Sequence, residues 1–192
     1  MLRGVVTTKD RRVRRTHAAL QNALIGLVEE QDLAQITVAD VAERADVSRS
    51  TFYDHYRDVH ELAEAACTAM IDDLIESLPA FSRDPASQDP TQSLQAFFAS
   101  LAEHAGLYRS LLGPQGSARV IDHVRRRITS AVHAASCQTP SEPGDVPHDV
   151  PAAFVAGALI GVAADWLQRG CPRTPTEMAA LTWPHLTAQY KS

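Results

Sequence analysis

Residues 36–62, ITVADVAERADVSRSTFYDHYRDVHEL, decide the fold of this chain because they contain two helix starts in quick succession. Thr37 and Asp40 form a capping-box pattern, in which the hydroxyl accepts from a backbone N–H of the first turn and the carboxylate reaches back to the cap. A helix therefore begins at Thr37. Asp46 is predicted to end it in the left-handed conformation that Asn, Asp and Gly tolerate best. Ser48 then caps a second helix.

The second helix, predicted over residues 49–56, is polar along its leading edge. Its accessible side chains are small or able to form hydrogen bonds: Arg49, Ser50, Thr51, Tyr53 and His55. Phe52 and Tyr56 lie four residues apart and are predicted to face inward. Two short helices at a steep angle, the second capped and polar, are typical of the helix-turn-helix, whose second helix enters the major groove of DNA. An ordinary helical hairpin in an all-α core is the competing interpretation.

Many residues of this segment also match one known pattern, T-V-x-x-I-A-x-x-A-G-V-S-x-G-T-F-Y-x-H-F-x-x-K-x-E-L. The matching positions are Thr37, Val38, Ala42, Ala45, Val47, Ser48, Thr51, Phe52, Tyr53, His55, Glu61 and Leu62. The segment therefore resembles the DNA-binding region of the tetracycline-repressor (TetR) family. Asp46 and Ser50 replace family glycines, and Val59 replaces a lysine that in the family lies near a phosphate. Arg57 or His60 is expected to take the place of that lysine.

The resemblance implies an all-α chain of about nine helices in two domains. A three-helix DNA-binding domain with a basic N-terminal arm is predicted over residues 1–58, and a larger ligand-binding and dimerisation domain over residues 59–192. The DNA contacts that the resemblance and helix geometry predict are Thr37, Ser48, Arg49, Ser50, Thr51, Tyr53, His55, Arg57 and His60. Arg49 is predicted to read a base edge, whereas Tyr53 and His55 are predicted to hold the DNA backbone.

The net charge of −5 over 192 residues conceals a basic N-terminus. Residues 1–15 hold six basic side chains against one acidic side chain, a net +5, so that the remainder carries −10. A cluster of this kind neutralises DNA phosphates without reading sequence. Arg11 and Arg15, next to the helix-turn-helix, are predicted to contact phosphate, while residues 1–8 are predicted to form a solvated tail.

Helical periodicity continues through the rest of the chain. The predicted helices are residues 10–31, 60–78, 92–104, 107–112, 118–137, 152–169 and 175–189. Loops are predicted at 81–90 and at the proline-bearing 138–151. The arginines of the helix over 118–137, Arg119 and Arg125 to Arg127, are predicted to form a solvated face rather than a second nucleic-acid patch.

The last two helices are predicted to pair with a second copy of the chain. One reading helix offers too little contact for a specific site, and members of the TetR family pair so that two such helices meet successive major grooves. Small residues four apart let another helix approach closely. The predicted dimer residues are Ala153, Gly157, Gly161, Leu181 and Leu186.

An apolar cavity in the second domain is the predicted effector site, and a small apolar or aromatic molecule is the predicted effector. Its predicted lining is Met70, Phe97, Phe98, Leu101, Tyr108 and Trp166. The same residues could simply fill a core. The helix over residues 60–78 starts behind the reading helix and ends in the larger domain, so it is predicted to transmit the effector signal.

Other classes of function find little support in the sequence. There is no G-x-S-x-G, no H-E-x-x-H and no phosphate-binding glycine loop, so an enzyme is not predicted. Three widely spaced cysteines indicate neither a disulfide framework nor a zinc site, and His133 with Cys137 is too few ligands for a metal. No cofactor is expected. No apolar run approaches a membrane span of about 20 residues, which predicts a cytoplasmic protein. A helical adaptor or small-molecule-binding protein without a role at DNA is the alternative.

Overall fold

A computed structural model describes residues 8–77, 91–114, 116–136 and 150–188, and within those ranges the chain contains nine α-helices and no strand. The helices are α1 (Thr8–Glu30), α2 (Val38–Arg44), α3 (Arg49–Tyr53), α4 (Val59–Ser77), α5 (Gln92–Glu103), α6 (Ala105–Leu112), α7 (Ala118–Ser136), α8 (Val150–Gln168) and α9 (Pro175–Ala188). A short 3-10 turn, Leu33–Gln35, precedes α2. The predicted all-α class is confirmed.

The chain divides into two compact units, Met1–Ala66 and Cys67–Ser192. The division lies inside α4, whereas the sequence placed a functional boundary at the start of that helix. In the first unit α1 packs on α2, and α2 packs on α3. Its core consists of Leu20, Leu24, Leu27, Ile36, Val41, Ala42, Phe52, Tyr56 and Leu62.

The second unit is a helical bundle in which α5 packs on α9, and α8 packs on both α6 and α7. The inward faces of α5 and α7 consist of the following buried side chains: Leu94, Phe97, Phe98, Leu101, Val120, Val124, Ile128 and Val132. The N-terminus of α9 has a second capping box, formed by Thr174 and Glu177. The backbone N–H of Thr174 donates to Glu177 Oε2 at 2.8 Å, and the N–H of Glu177 donates back to the Thr174 hydroxyl at 3.3 Å.

The arginines of α7 are only partly a solvated face. Arg125 and Arg126 are exposed and pair with Asp122 on their own helix. Arg127 is half-buried, and its Nε lies 2.6 Å from Asp72 Oδ1 of α4. His123 Nε2 also lies 2.9 Å from that oxygen. The prediction that Arg127 points outward is therefore wrong, because an acidic partner on α4 draws it inward.

Helix α8 is more apolar than the sequence reading allowed. Over Val150–Gln168 its mean hydropathy is 1.8, so by length and composition it could cross a membrane, and the expectation that no run approaches this length is wrong. Its inward side is a core face of the second unit. The side chains on that face are Ala152, Val155, Ala156, Leu159, Ala163, Trp166 and Leu167.

Several predictions concern residues outside the described ranges. These are the tail at residues 1–7, the loop at 81–90, most of the connection at 138–151, and Cys137.

Candidate nucleic-acid interface and neighbouring sites

The capping box predicted at the start of α2 is present with both of its hydrogen bonds. The backbone N–H of Thr37 donates to Asp40 Oδ2 at 2.8 Å, and the N–H of Asp40 donates to the Thr37 hydroxyl at 3.2 Å. The backbone bond from Thr37 is the main reason why the pKa of Asp40 is lowered. At the other end of α2, Arg44 pairs with Glu30 of α1 at 2.7 Å. Both ends of α2 are therefore fixed by side chains.

The turn between α2 and α3 closes in the way that the sequence predicted. Asp46 has a φ of 54°, in the left-handed region. The N–H of Val47 donates to the Ala42 carbonyl at 3.0 Å, the bond that closes a Schellman turn. This closure sets where Ser48 and the next helix begin.

Ser48 caps α3, and its hydroxyl accepts from the N–H of Thr51 at 3.1 Å. The same oxygen lies 2.8 Å from the Ser50 hydroxyl and 2.9 Å from the Thr51 hydroxyl. The helix ends at Tyr53, so its predicted extension to residue 56 is wrong. The N–H groups of His55 and Tyr56 both donate to the Phe52 carbonyl at 2.9 Å, which turns the chain there.

Burial separates the side chains of this segment into an accessible set and an anchoring set. The accessible candidate DNA contacts are Arg11, Arg15, Thr37, Ser48, Arg49, Ser50, Tyr53, Arg57 and His60, and the half-buried ones are Thr51 and His55. Phe52 is fully buried, with its ring 5.7 Å from the Tyr53 ring and 6.0 Å from the Tyr56 ring. A buried phenylalanine therefore anchors the short helix from behind.

The two candidates to replace the family lysine both have acidic neighbours. Arg57 Nε lies 3.4 Å from Glu61 Oε2, and the Arg57 N–H donates to the same oxygen at 2.7 Å. His60 Nε2 lies 3.6 Å from Glu64 Oε1. These bonds order the first turn of α4.

His17 is a residue whose role the sequence reading missed. Its Nε2 lies 3.1 Å from His55 Nδ1, and its Nδ1 lies 3.0 Å from the Tyr56 hydroxyl. Burial, followed by the neighbouring His55, lowers the pKa of His17. The contact joins residues far apart in the chain, so local periodicity gave no signal for it.

The predicted effector residues are mostly buried in the second unit. Phe97, Phe98, Leu101, Tyr108 and Trp166 are buried, and Met70 is half-buried. The Phe98 ring lies edge-on at 5.4 Å from both the Phe97 and the Trp166 rings. The Trp166 indole N–H donates to the Arg173 carbonyl at 3.1 Å. The structure thus joins three of the predicted residues in one aromatic cluster.

Two buried polar atoms, His104 Nδ1 and the Tyr108 hydroxyl, belong to residues at the start of α6 and one turn into it. Within the described part of the chain, neither the Tyr108 hydroxyl nor His104 Nδ1 has a hydrogen-bond partner. Burial is the main cause that raises the pKa of Tyr108, and the neighbouring Cys67 and Glu103 raise it further. Ser100 is a polar neighbour that lowers this pKa, but it does not meet the Tyr108 hydroxyl in hydrogen-bond geometry. Because an unpaired buried polar group costs about 1–3 kcal/mol, these two atoms call for a hydrogen-bonding partner.

The small-residue stripe of α8 is open. Ala153, Gly157 and Gly161 are exposed, and a Cβ at either glycine would meet no atom within 4 Å. Large apolar groups are also exposed in these helices, namely Val150 (67%), Phe154 (55%) and Leu181 (51%). Leu186 is only 5% exposed, so its burial inside the unit speaks against the predicted dimer contact. Phe154 was missed, although it lies three residues before Gly157 on the same face.

The described residues contain no group of three or more His, Cys, Asp or Glu side chains arranged to hold a metal ion.

Comparisons with known proteins match both units. Residues 22–66 match the family model for bacterial regulatory proteins of the tetR family, and residues 88–182 match a model for a transcriptional regulator C-terminal region. The chain is 44% identical over 70 residues to the uncharacterized HTH-type transcriptional regulator YxbF of Bacillus subtilis (strain 168). That match spans 34% of this chain and 18% of YxbF.

Two solved structures share the fold over nearly the whole chain. The dihydroxyacetone kinase operon activator DhaS has a TM-score of 0.67 at 16% identity, and the match covers 92% of this chain and 96% of DhaS. A tetR-family regulator from Streptomyces coelicolor has a TM-score of 0.67 at 18% identity, covering 91% of this chain and 80% of that protein. At this level of identity the similarity establishes the fold.

Proposed function

We propose, since the chain belongs to the TetR family of bacterial transcriptional regulators, that it acts in the cytoplasm as a homodimeric repressor released from its operator by a small effector. Members of this family are non-enzymatic DNA-binding proteins, so the chain is a regulator rather than an enzyme. The observation that carries the proposal is α3, a short capped helix anchored by buried Phe52 with Arg49, Ser50 and Tyr53 exposed.

Base reading is assigned to Arg49, and backbone contact to Tyr53. Arginine pairs with guanine in the major groove, whereas a tyrosine hydroxyl binds phosphate without regard to sequence. In gel shifts with the promoter upstream of the chain's own gene, Arg49→Ala should cost about 1–3 kcal/mol and relax the preference at one base pair. Tyr53→Phe is the matched control, because it should weaken all sequences alike. An unchanged affinity and preference in Arg49→Ala would refute the assignment.

The partner surface is assigned to the open face of α8 and to Leu181 of α9. Phe154 and Leu181 expose apolar surface there, and Gly157 leaves room for a helix of the second copy. Pairing would set two α3 helices against half-sites about 34–36 Å apart, or a multiple of this. Since a Cβ added at Gly157 would meet no neighbouring group within 4 Å, Gly157→Leu should fold normally.

Light scattering should find Gly157→Leu monomeric, with unchanged helicity and no operator binding. Ala99→Leu is the control, since it adds a leucine at an exposed position of α5. A Gly157→Leu dimer of normal operator affinity would defeat this assignment.

The effector is assigned to the region of Phe97, Phe98 and Trp166, with Tyr108 and His104 as its polar anchors. An apolar molecule carrying a hydrogen-bonding group would match the aromatic lining and offer a partner to the Tyr108 hydroxyl. A thermal-shift screen of apolar compounds with and without such a group should favour those that carry it. Tyr108→Phe should remove that preference with little change in the fold, and a preference unchanged in Tyr108→Phe would exclude this anchor.

Signal transmission is assigned to α4, because this one helix contributes residues to both units. The effector must bind the two arrangements of the chain with unequal affinity, and operator must weaken effector by the same factor that effector weakens operator. Titrating an effector with and without operator DNA measures both factors. A pocket ligand that leaves operator affinity unchanged would remove α4 from this role, as would a loss of DNA binding in Trp166→Ala with the ligand response intact.

A further inference from the structure

The His17 side chain links α1 to the two residues that follow the reading helix. Its Nε2 lies 3.1 Å from His55 Nδ1, and its Nδ1 lies 3.0 Å from the Tyr56 hydroxyl. The two imidazole rings meet edge to face with centroids 4.7 Å apart. Tyr56 is buried, and His55 is half-buried next to exposed Tyr53 and Asp54. Each ring nitrogen of His17 in α1 therefore contacts one of the two residues, His55 and Tyr56, at the end of the helix-turn-helix.

The hydrogen bonds from Tyr56 through His17 to His55 can be arranged in two ways when both imidazole rings are neutral, because a neutral imidazole carries one N–H. In the first, the Tyr56 hydroxyl donates to His17 Nδ1, and His17 Nε2–H donates to His55 Nδ1. His55 then carries its hydrogen on Nε2. In the second, every bond is reversed, so His55 Nε2 presents a lone pair.

A DNA phosphate distinguishes the two arrangements because its oxygens only accept hydrogen bonds. The first presents a donor at His55 Nε2, and the second presents a lone pair that repels the anion. Burial, followed by the neighbouring His55, lowers the pKa of His17, which favours a neutral His17 in the folded chain. Burial raises the pKa of Tyr56, so its hydroxyl keeps its hydrogen and is able to donate to His17 Nδ1.

We propose that His17 is a positioning residue for DNA binding: it holds Nδ1 of His55, so that Nε2 of His55 carries the hydrogen and donates to a phosphate. This inference rests on the proposed DNA-binding function. It gives His17 of α1 a part in that function without any contact between His17 and DNA. His17 acts through His55, so its effect on binding must disappear when His55 is absent.

A double-mutant cycle tests this dependence. The DNA probes are a duplex selected by the wild-type protein from a random-sequence pool and an unrelated duplex of the same length. His55→Phe should weaken both about tenfold, the effect of losing a hydrogen bond to a charged group. His17→Phe should weaken both by a smaller factor in the wild-type background and by none in the His55→Phe background. His17→Gln keeps an N–H donor for His55 Nδ1 and should restore most of the affinity.

Histidine ¹⁵N chemical shifts at pH 7.5 provide a second measurement that does not depend on DNA. His55 should be the Nε2–H tautomer in the wild type and in His17→Gln, and a mixture of tautomers in His17→Phe. Should His17→Phe fail to fold, His17→Gln and the wild type still report the tautomer, and a wild-type His55 carrying its hydrogen on Nδ1 would overturn the proposal.

The remaining outcomes are separable. Additive losses in the cycle would show that His17 supports the fold without acting through His55, which overturns this role and leaves the proposed function intact. A wild-type protein that selects no sequence and does not bind the unrelated duplex would overturn both.

Discussion

Removing the Ser48 cap should destabilise α3 strongly, even though the change deletes only one hydroxyl group. Ser48→Ala deletes the oxygen that accepts from the N–H of Thr51 at 3.1 Å. Loss of an N-cap hydroxyl costs about 1 kcal/mol, within a range of about 0.5–2. A helix of only five residues has no stability of its own, so this loss is not absorbed by neighbouring turns. A change of about 1 kcal/mol corresponds to about a fivefold rise in the open population of α3.

Amide hydrogen exchange measures this opening directly, because the Asp54 N–H donates to the Ser50 carbonyl at 3.0 Å across α3 and exchanges when the helix opens locally. Both tryptophans, Trp166 and Trp183, belong to the second unit, so their fluorescence in urea serves as an internal control that should not change. Ser50→Ala is the matched control variant. The Ser50 hydroxyl contacts Ser48 at 2.8 Å but caps no backbone group, so this change should cost less than about 0.5 kcal/mol.

The reasoning fails if Ser48→Ala and Ser50→Ala give the same exchange rate at the Asp54 N–H. Equal rates would mean that packing of Phe52, rather than the cap, holds α3 in place.

Three further outcomes are expected. Hydrogen bonds from backbone N–H groups lower the pKa values of Asp40 and Glu177. The stability that these carboxylates contribute is therefore present above their ordinary pKa values of 3.8 and 4.5 and is lost as the pH falls through the lowered pKa values. In an acid titration, the free energy of unfolding should fall less steeply with decreasing pH in Asp40→Asn than in the wild type. Burial raises the pKa of Cys67 to about 12, so at pH 8 a thiol reagent should label half-buried Cys171 and leave Cys67 unmodified until urea is added. Gly170 has a φ of 77°, so Gly170→Ala should lower the free energy of unfolding by about 1 kcal/mol in urea denaturation, and an unchanged midpoint would contradict the strain argument.

Local signals in the sequence predicted the helix starts well. Thr37 and Ser48 are caps because short polar side chains satisfy backbone groups within their own turn, which requires no knowledge of the tertiary fold. Asp46 was predictable for the same reason. The end of α3 was not, because the turn after Tyr53 depends on how buried Phe52 sits on the rest of the unit.

Orientation was harder to predict in the apolar helices. Helices α8 and α9 are apolar on more than one side, so periodicity could not decide whether Leu181 or Leu186 faces outward. The contact of His17 with His55 joins residues on different helices, and only packing of α1 brings them together. Pairings of this kind follow from the tertiary fold and leave no local pattern in the sequence.

The side chains that would read DNA are largely separate from those that fold the first unit. Arg49 and Tyr53 are exposed, whereas Ser48 and Phe52 fix the backbone from the cap and from the core. Substitution at Arg49 should therefore change operator preference without the loss of stability that accompanies most mutations. If Arg49 reads a base as proposed, new specificities can arise one residue at a time during evolution, and the same position offers a direct route to redesigning the proposed operator preference.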